Sequence, residues 1–255
     1  MTLFPKTLLT LSALALAGSV AMSSPAAALD AKQKKEFGEF IKQYLIENPE
    51  IMLDVQAALE KKQEAARLLQ SNKAVSENKA AIFNAKYDVT LGNPNGDVTI
   101  VEFFDYNCGY CRHALSDMET LLQKDKNVRF VLKEFPILGP DSVAAHRVAD
   151  AFRKLAPEKY GDFHRALLGS DGRASEESAM EVATSLGVGE ADIRKEMAAS
   201  PNDATVKETY QLATSLGLTG TPSYVIGNEA VSGAVGADVL EQKIENVRAC
   251  GKTTC

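Results

Sequence analysis

Two cysteines separated by two residues are the part of the chain best suited to chemistry. They are Cys108 and Cys111, with Gly109 and Tyr110 between them. Disulfide exchange needs a thiolate that attacks, a second thiol near enough to resolve the mixed disulfide, and surroundings that stabilise the attacking anion. The spacing meets the second requirement, whereas the first and third depend on the elements on either side.

The motif lies where a predicted strand gives way to a predicted helix. Residues 98–106 are rich in β-branched and aromatic side chains and predict a buried strand. Residues 109–123 have helical periodicity, so Cys108 is expected at a helix N-terminus, where free N–H groups and the helix dipole favour a negative sulfur. Cys111 is expected one turn further in and more buried. We therefore predict that Cys108 is the nucleophile and Cys111 the resolving thiol.

The remaining two cysteines lie at the end of the chain and leave two alternatives open. Cys250 and Cys255 could join the first pair as four zinc ligands, or they could close a small structural disulfide after the last helix. The great separation between the pairs, and the place of the first pair at a strand-to-helix junction, favour the disulfide. We predict no metal and no other cofactor.

The elements that must position the motif form an α/β domain. A second strand over residues 128–135 completes a βαβ unit, whose parallel pairing needs a right-handed crossover. Residues 141–216 then read as about four or five helices. Gly227-Asn228 predicts a hairpin between strands at 223–226 and 230–232, and a last helix is expected over 237–248.

The segment before this domain is helical. Phe37, Phe40, Ile41, Tyr44 and Leu45 fall on one helical face, and the break at residues 48–49 divides the segment into two helices. One interpretation packs these helices onto their own domain, and the other uses them for self-association. We favour self-association, because an amphipathic segment without a core of its own must bury its apolar face on something.

The first residues have the layout of a secretory signal peptide. Lys6 precedes an apolar run over residues 8–17, and small residues follow up to Ala28. We predict a signal peptide over residues 1–28, cleaved after Ala28, and therefore an exported protein in a compartment where disulfides persist. The formal net charge of -6 gives no broad basic surface, so nucleic acid is not an expected partner.

Residues 101–111 and 219–223 together resemble the active-site regions of DsbA-like thioredoxin-fold proteins. The resemblance covers about residues 97–248 and implies a thioredoxin-like domain over 87–255, with a helical insertion over about 140–217. It also implies that Pro222 follows a cis peptide bond beside the cysteines and that Thr221 helps to dock the substrate chain. Residues 29–86 form the helical segment that precedes the domain, and with the Cys-Gly-Tyr-Cys motif they resemble the suppressor of copper sensitivity protein C group.

The same resemblance gives a role to two charged residues inside the strands. Glu102 and Lys133 match ionisable positions that lie under the active site, and they suggest a buried pair that accepts a proton from Cys111. The alternative is that both charges reach water at a strand end or edge. Gly109 and Tyr110 supply no positive charge, so the Cys108 thiolate must depend on backbone donors.

The resemblance implies a periplasmic enzyme that exchanges disulfides with cysteine-containing exported proteins and is served by a membrane redox partner. Oxidation and isomerisation both remain open. A second hypothesis is a copper-tolerance protein in which reduced Cys108 and Cys111 bind Cu(I), for which thiolates are good ligands. A third is an exported structural protein in which these cysteines form a permanent bridge.

Overall fold

The computed structural model describes residues 30–255. The predicted signal peptide, residues 1–28, lies outside the described residues. Within the described part of the chain, no helix is both long enough and apolar enough to cross a membrane. Over residues 30–255 the fold is α/β, as predicted, with a five-stranded sheet that has helices on both faces.

Helices outnumber strands along the described part of the chain. In chain order the elements are α1 (Ala31–Glu47), α2 (Ile51–Glu77), α3 (Lys79–Phe83), β1 (Val89–Gly92), β2 (Val98–Phe104), α4 (Gly109–Lys124), β3 (Val128–Glu134), α5 (Pro140–Leu155), α6 (Tyr160–Leu168), α7 (Glu176–Ser185), α8 (Glu190–Ala199), α9 (Asp203–Ser215), β4 (Ser223–Ile226), β5 (Glu229–Ser232) and α10 (Ala237–Cys250). A short 3-10 helix, Pro157–Lys159, precedes α6. The predicted βαβ unit, helical insertion, hairpin and last helix are all confirmed.

The strands follow the order β1-β3-β2-β4-β5 across the sheet. β2 and β3 are parallel, as the βαβ unit requires, and the other neighbours are antiparallel. Strand β1 is not among the strands that the sequence predicts. Its four residues form an edge strand that ends at Gly92, two residues before Pro94, and a segment this short with turn-forming residues at its end carries little strand pattern.

Both faces of the sheet are buried, which explains the continuous apolar runs in β2 and β3. One face carries Ile100 and Phe104 and packs with α4, α5, α6 and α10. The other carries Val101 and Phe103 and packs with apolar residues of α2, α3 and α9. Because side chains alternate along a strand, each strand contributes to two separate cores.

The chain divides into two compact units, the first ending at Leu59 and the second beginning at Glu60. This point lies within α2 and upstream of residue 87, where the sequence placed the start of the catalytic domain. The second unit includes the later part of α2, where Val75 is buried, and the Ser71 hydroxyl accepts a hydrogen bond from the Ala230 N–H at 3.0 Å. That contact covers the backbone of the edge strand β5, which would otherwise be free to pair with another chain.

Candidate active site

Cys108 is the N-cap residue of α4. Its backbone is extended, and its sulfur accepts a hydrogen bond from the Cys111 N–H at 3.3 Å. The Cys108 N–H in turn donates to the Asp105 carbonyl at 3.0 Å, which fixes the turn between β2 and α4. The sulfur is therefore held at the positive end of the helix dipole, where an anion is stabilised.

Hydrogen bonds to its sulfur lower the pKa of Cys108 from its ordinary value of 9.0 to about 6. The largest cause is a hydrogen bond from the Cys111 thiol, and contacts with Thr221 and with the N–H groups of Cys111 and Tyr110 add to it. Partial burial acts in the opposite direction. The balance makes Cys108 predominantly a thiolate at neutral pH, which is the form that attacks a disulfide.

Cys111 lies one turn further along α4 and is fully buried. Burial raises the pKa of its thiol, and the hydrogen bond to Cys108 and the charge of Glu102 raise it further. Cys108 and Cys111 are both free thiols, so the site is in its reduced form. One thiol is primed to attack, and the other needs a base to become nucleophilic.

The buried carboxyl group of Glu102 has the chemistry of such a base. Its side chain is on β2, 2% exposed. Burial raises the pKa of Glu102 to about 8, with smaller contributions from the charges of Cys108 and Asp117. A carboxyl group with such a pKa can take up a proton near neutral pH.

The expected ion pair between Glu102 and Lys133 does not form. In the parallel register Glu102 lies opposite Leu132, and Lys133 lies opposite Phe103. Neighbouring residues of a strand point to opposite faces, so the two charges are separated by the sheet itself. The alternative, charges that reach water at an edge, is also wrong, because Lys133 is only 1% exposed.

Lys133 pairs instead with Asp88, which immediately precedes β1. Its Nζ donates to Asp88 Oδ1 at 2.6 Å and lies 5.3 Å from the centre of the Tyr87 ring. Both charges are buried, so each depends on the other for its stability. Sequence reasoning missed Asp88 because β1 itself was not recognised.

The segment that faces the cysteines carries a cis peptide bond between Thr221 and Pro222. The carbonyl oxygen of Thr221 accepts a hydrogen bond from the Cys108 thiol at 3.1 Å. The segment just before β4 therefore lies against Cys108. Tyr110, the second residue between the cysteines, is 70% exposed and points away from the core.

Two polar residues before the motif were not predicted as part of the site. Asp105 is buried, and its carboxylate accepts hydrogen bonds from the N–H groups of Asn107 at 2.8 Å and Leu138 at 2.9 Å. The side chain of Asn107 makes contacts with the helical insertion. Their only signal in the sequence is the change from aromatic to polar residues between the strand and Cys108.

Cys250 and Cys255 are joined in a disulfide at the C-terminus. The loop that it closes contains Thr253, whose N–H donates to the side chain of Asn228 in the β4–β5 turn at 3.2 Å. Two cysteines held in a disulfide are not available as zinc ligands, so a site made of all four thiolates does not exist in this state.

Fold and site define a thioredoxin-fold protein of the thiol-disulfide oxidoreductase class. Residues 99–245 match the DSBA-like thioredoxin domain, which is more than half of the chain, and the chain belongs to that family. Residues 33–66 match the copper resistance protein ScsC N-terminal domain. The two matches together support the ScsC group within the family.

Solved structures with the same fold agree with this assignment. A thioredoxin-like oxidoreductase from Silicibacter pomeroyi is 40% identical, with a TM-score of 0.65, and the match covers 68% of this chain and 99% of that chain. The thiol-disulfide exchange protein alpha-DsbA2 from Wolbachia pipientis is 32% identical, with a TM-score of 0.66 and coverage of 71% and 98%. A linker-deletion mutant of Proteus mirabilis ScsC is 25% identical, with a TM-score of 0.63 and coverage of 88% and 99%.

A curated relative gives a shorter match. Disulfide bond formation protein D of Bacillus subtilis is 32% identical over 102 residues, which is 38% of this chain. The match spans 44% of that protein, less than half of its length. The chemistry that the family shares is thiol-disulfide exchange.

Proposed function

We propose that the chain is an exported thiol-disulfide oxidoreductase that acts on cysteine-containing proteins in the periplasm through Cys108 and Cys111. The observation that carries the proposal is the Cys108 sulfur at the N-terminus of α4, with its pKa lowered to about 6. A thiolate there attacks one sulfur of a substrate disulfide and displaces the other as a thiolate. The product is a mixed disulfide between Cys108 and the substrate.

Cys111 completes the reaction. Its thiol loses a proton to Glu102, and the resulting thiolate attacks the Cys108 sulfur. The substrate leaves as a thiolate, and Cys108 and Cys111 become a disulfide, so the substrate gains the two electrons that the protein loses. The same steps in reverse oxidise a substrate, and a membrane redox partner then restores the starting state.

The residues around the cysteines have supporting roles in this proposal. Thr221 and Pro222 receive the substrate chain, since they lie against Cys108. Gly109 and the exposed Tyr110 leave the approach to Cys108 without an added charge. Lys133 supports the site from the far face of the sheet by holding the segment before β1 through Asp88.

We further propose that the protein is a disulfide isomerase and that its first unit mediates self-association. Helix α1 exposes a large apolar surface to water. Its members are Phe37, Phe40, Ile41 and Tyr44, which are 57%, 65%, 48% and 48% exposed. Phe40 and Tyr44 stack on this surface with ring centres 6.1 Å apart. Several active sites in one assembly would suit the repeated attack that reshuffling requires. The predicted signal peptide, residues 1–28, is the basis for export.

Refolding of a scrambled-disulfide protein in glutathione buffer tests the proposal. The full chain from residue 29 is compared with a chain that begins at Glu60, the start of the second compact unit. Recovery of native substrate by the full chain, and its loss in the shorter one, would support an isomerase organised by α1. Rapid oxidation of reduced substrate by both chains, without rescue of scrambled substrate, would instead identify an oxidase.

Cu(I) binding by the same thiols is the second candidate. It is favoured by the pair of free thiols and by the match of residues 33–66 to a domain named for copper resistance. Thiolates are good ligands for Cu(I). Competition with a chromophoric Cu(I) chelator measures it, and stoichiometric binding together with negligible exchange activity would favour this function over the first.

A further inference from the structure

We propose that Asn107 is a positioning residue that fixes one side of the substrate groove, and that it determines how well Cys108 reacts with protein substrates. The inference rests on the proposed exchange function and deepens it. This side of the groove is formed by residues 168–174 of the helical insertion, which we call the insertion segment. Asn107 precedes the nucleophile directly, but its side chain is engaged with the insertion.

The amide group of Asn107 makes hydrogen bonds at both of its ends. Its Nδ2 donates to Ser142 Oγ at 3.0 Å and to the Ala174 carbonyl at 2.9 Å. Its Oδ1 accepts from the Ala174 N–H at 2.8 Å. One side chain therefore satisfies both backbone groups of Ala174 and reaches the first turn of α5. Only a carboxamide offers a donor and an acceptor in this arrangement.

A second anchor reaches the same insertion segment from α4. Arg112 Nε donates to the Leu168 carbonyl at 3.1 Å, and its Nη2 donates to the Gly172 carbonyl at 3.4 Å. The insertion segment is thus held at both ends by the residues that flank the redox motif. On the other side, Cys108 touches the Thr221 carbonyl. The proposed groove for the substrate chain lies between these two borders.

The groups that stabilise the Cys108 thiolate are separate from this anchor. They belong to Cys111, Tyr110 and Thr221, and none of them is part of the insertion. The backbone of Asn107 is also held independently, because its N–H donates to Asp105 Oδ1 at 2.8 Å. Loss of the Asn107 side chain is therefore expected to release the insertion segment while the sulfur keeps its position. Protein substrates, which contact the groove, should be affected and small disulfides should not.

The test compares Asn107→Ala with the wild-type chain on two substrates, oxidised glutathione and a scrambled-disulfide protein. We expect KM for the protein substrate to rise about tenfold, with kcat and the rate with glutathione within about threefold of wild type. Thiolate absorbance at 240 nm should titrate as in the wild type. Hydrogen exchange should accelerate in the insertion segment and stay unchanged in the first turn of α4.

Two further variants keep the test decisive. Ser142→Ala removes one of the contacts of Asn107 and should shift KM in the same direction by a smaller factor, which matters if Asn107→Ala folds poorly. Asn202→Ala is the matched control, since Asn202 is a buried asparagine that donates to the His146 carbonyl at 3.3 Å within the insertion. It should leave the ratio of the two activities unchanged.

Several outcomes would overturn the inference. An equal loss with both substrates would make Asn107 a general structural residue, and so would an equal change of the ratio in Asn202→Ala. An unchanged KM with faster exchange in the insertion segment would remove its role in the groove. A wild-type chain that reacts with glutathione but not with protein substrates would refute the proposed function itself, which is a different result.

Discussion

The Cys111 N–H donates to the Cys108 sulfur at 3.3 Å across the first turn of α4. This contact is one of several hydrogen bonds that stabilise the Cys108 thiolate, and the two thiols of the motif have opposite properties. The pKa of Cys108 falls to about 6 because its sulfur collects hydrogen bonds, whereas burial raises the pKa of Cys111. The division into an attacking thiolate and a protonated partner follows from where the helix begins.

The reactivity of the reduced protein should follow the ionisation of Cys108. Alkylation by iodoacetamide is expected to rise with a midpoint near pH 6, because the thiolate is the reactive form and the pKa is lowered to about 6. Mass spectrometry of the digested protein should find the label on Cys108, with buried Cys111 protected. A midpoint near the ordinary thiol pKa, or equal labelling of both cysteines, would contradict this account.

Replacing Glu102 should slow the step that releases the substrate. Glu102→Gln keeps the shape of the side chain but removes the proton acceptor, so the mixed disulfide at Cys108 should accumulate and its resolution should slow by about a hundredfold. Quenched-flow samples analysed by mass spectrometry measure this rate. Glu119→Gln is the control, because Glu119 is a half-buried glutamate of α4 that pairs with Arg165. Equal resolution rates in the wild type and Glu102→Gln would remove Glu102 from the mechanism.

The same substitution should stabilise the fold at neutral pH. The pKa of Glu102 is raised from 4.5 to about 8 by burial, so its protonated form is the one that favours folding. That contribution is fully present below about pH 4.5 and is lost as the pH rises through about 8. Glu102→Gln avoids the loss and should be more stable than wild type by about 3 kcal/mol at pH 7.

Urea unfolding of the reduced proteins at several pH values measures the difference. The gap between Glu102→Gln and wild type should be small near pH 4.5 and widen up to about pH 8. A gap that does not change with pH would show that Glu102 is not the buried titrating group described above. Greater stability combined with slower resolution would show that the carboxyl group is kept for chemistry at a cost to the fold.

The stability of the catalytic unit should depend on where the N-terminal segment is truncated. A chain that begins at Glu60 keeps Ser71, Val75 and Ile82, so it should unfold cooperatively and react with small disulfides. A chain that begins after Asn84 loses these residues and exposes the backbone of β5, which Ser71 otherwise covers. We expect it to be less stable by several kcal/mol, about 2–5 for each large apolar side chain removed from a core.

Circular dichroism melts and analytical ultracentrifugation distinguish the two truncations. The chain from Glu60 is predicted to be folded and to have a lower mass in solution than the assembly that the full chain forms. Equal stability of the two truncated chains would mean that the later part of α2 adds nothing to the catalytic unit.

The sequence was sufficient to predict the elements with long, regular patterns. The strand predicted at residues 98–106 has a continuous apolar run, and the helix after Cys108 and the insertion have helical periodicity. The structure contains each of them, with the strand ending at Phe104. Strand β1 was missed because it has only four residues, ends at Gly92 and is soon followed by Pro94, so it carries little strand pattern. Because β1 was not predicted, Asp88 was not recognised as the partner of Lys133.

The error over Glu102 and Lys133 has a general cause. Each strand pattern tells which residues are buried, but the face on which a side chain lies relative to the next strand depends on register. In this sheet Glu102 is opposite Leu132, one residue from Lys133, and that single step puts the charges on different faces. The contact of Asn107 with Ala174 joins distant parts of the chain, and no local sequence pattern predicts such a contact.

Trapping of the mixed disulfide tests the central claim most directly. Cys111→Ser leaves Cys108 unable to be resolved, so incubation with a protein that contains disulfides should yield a covalent complex. Mass spectrometry should locate the bond at Cys108, and reduction should release the substrate intact. Cys108→Ser should give no complex. Failure of Cys111→Ser to form any adduct, or an adduct at another residue, would contradict the assignment of Cys108 as the nucleophile of thiol-disulfide exchange.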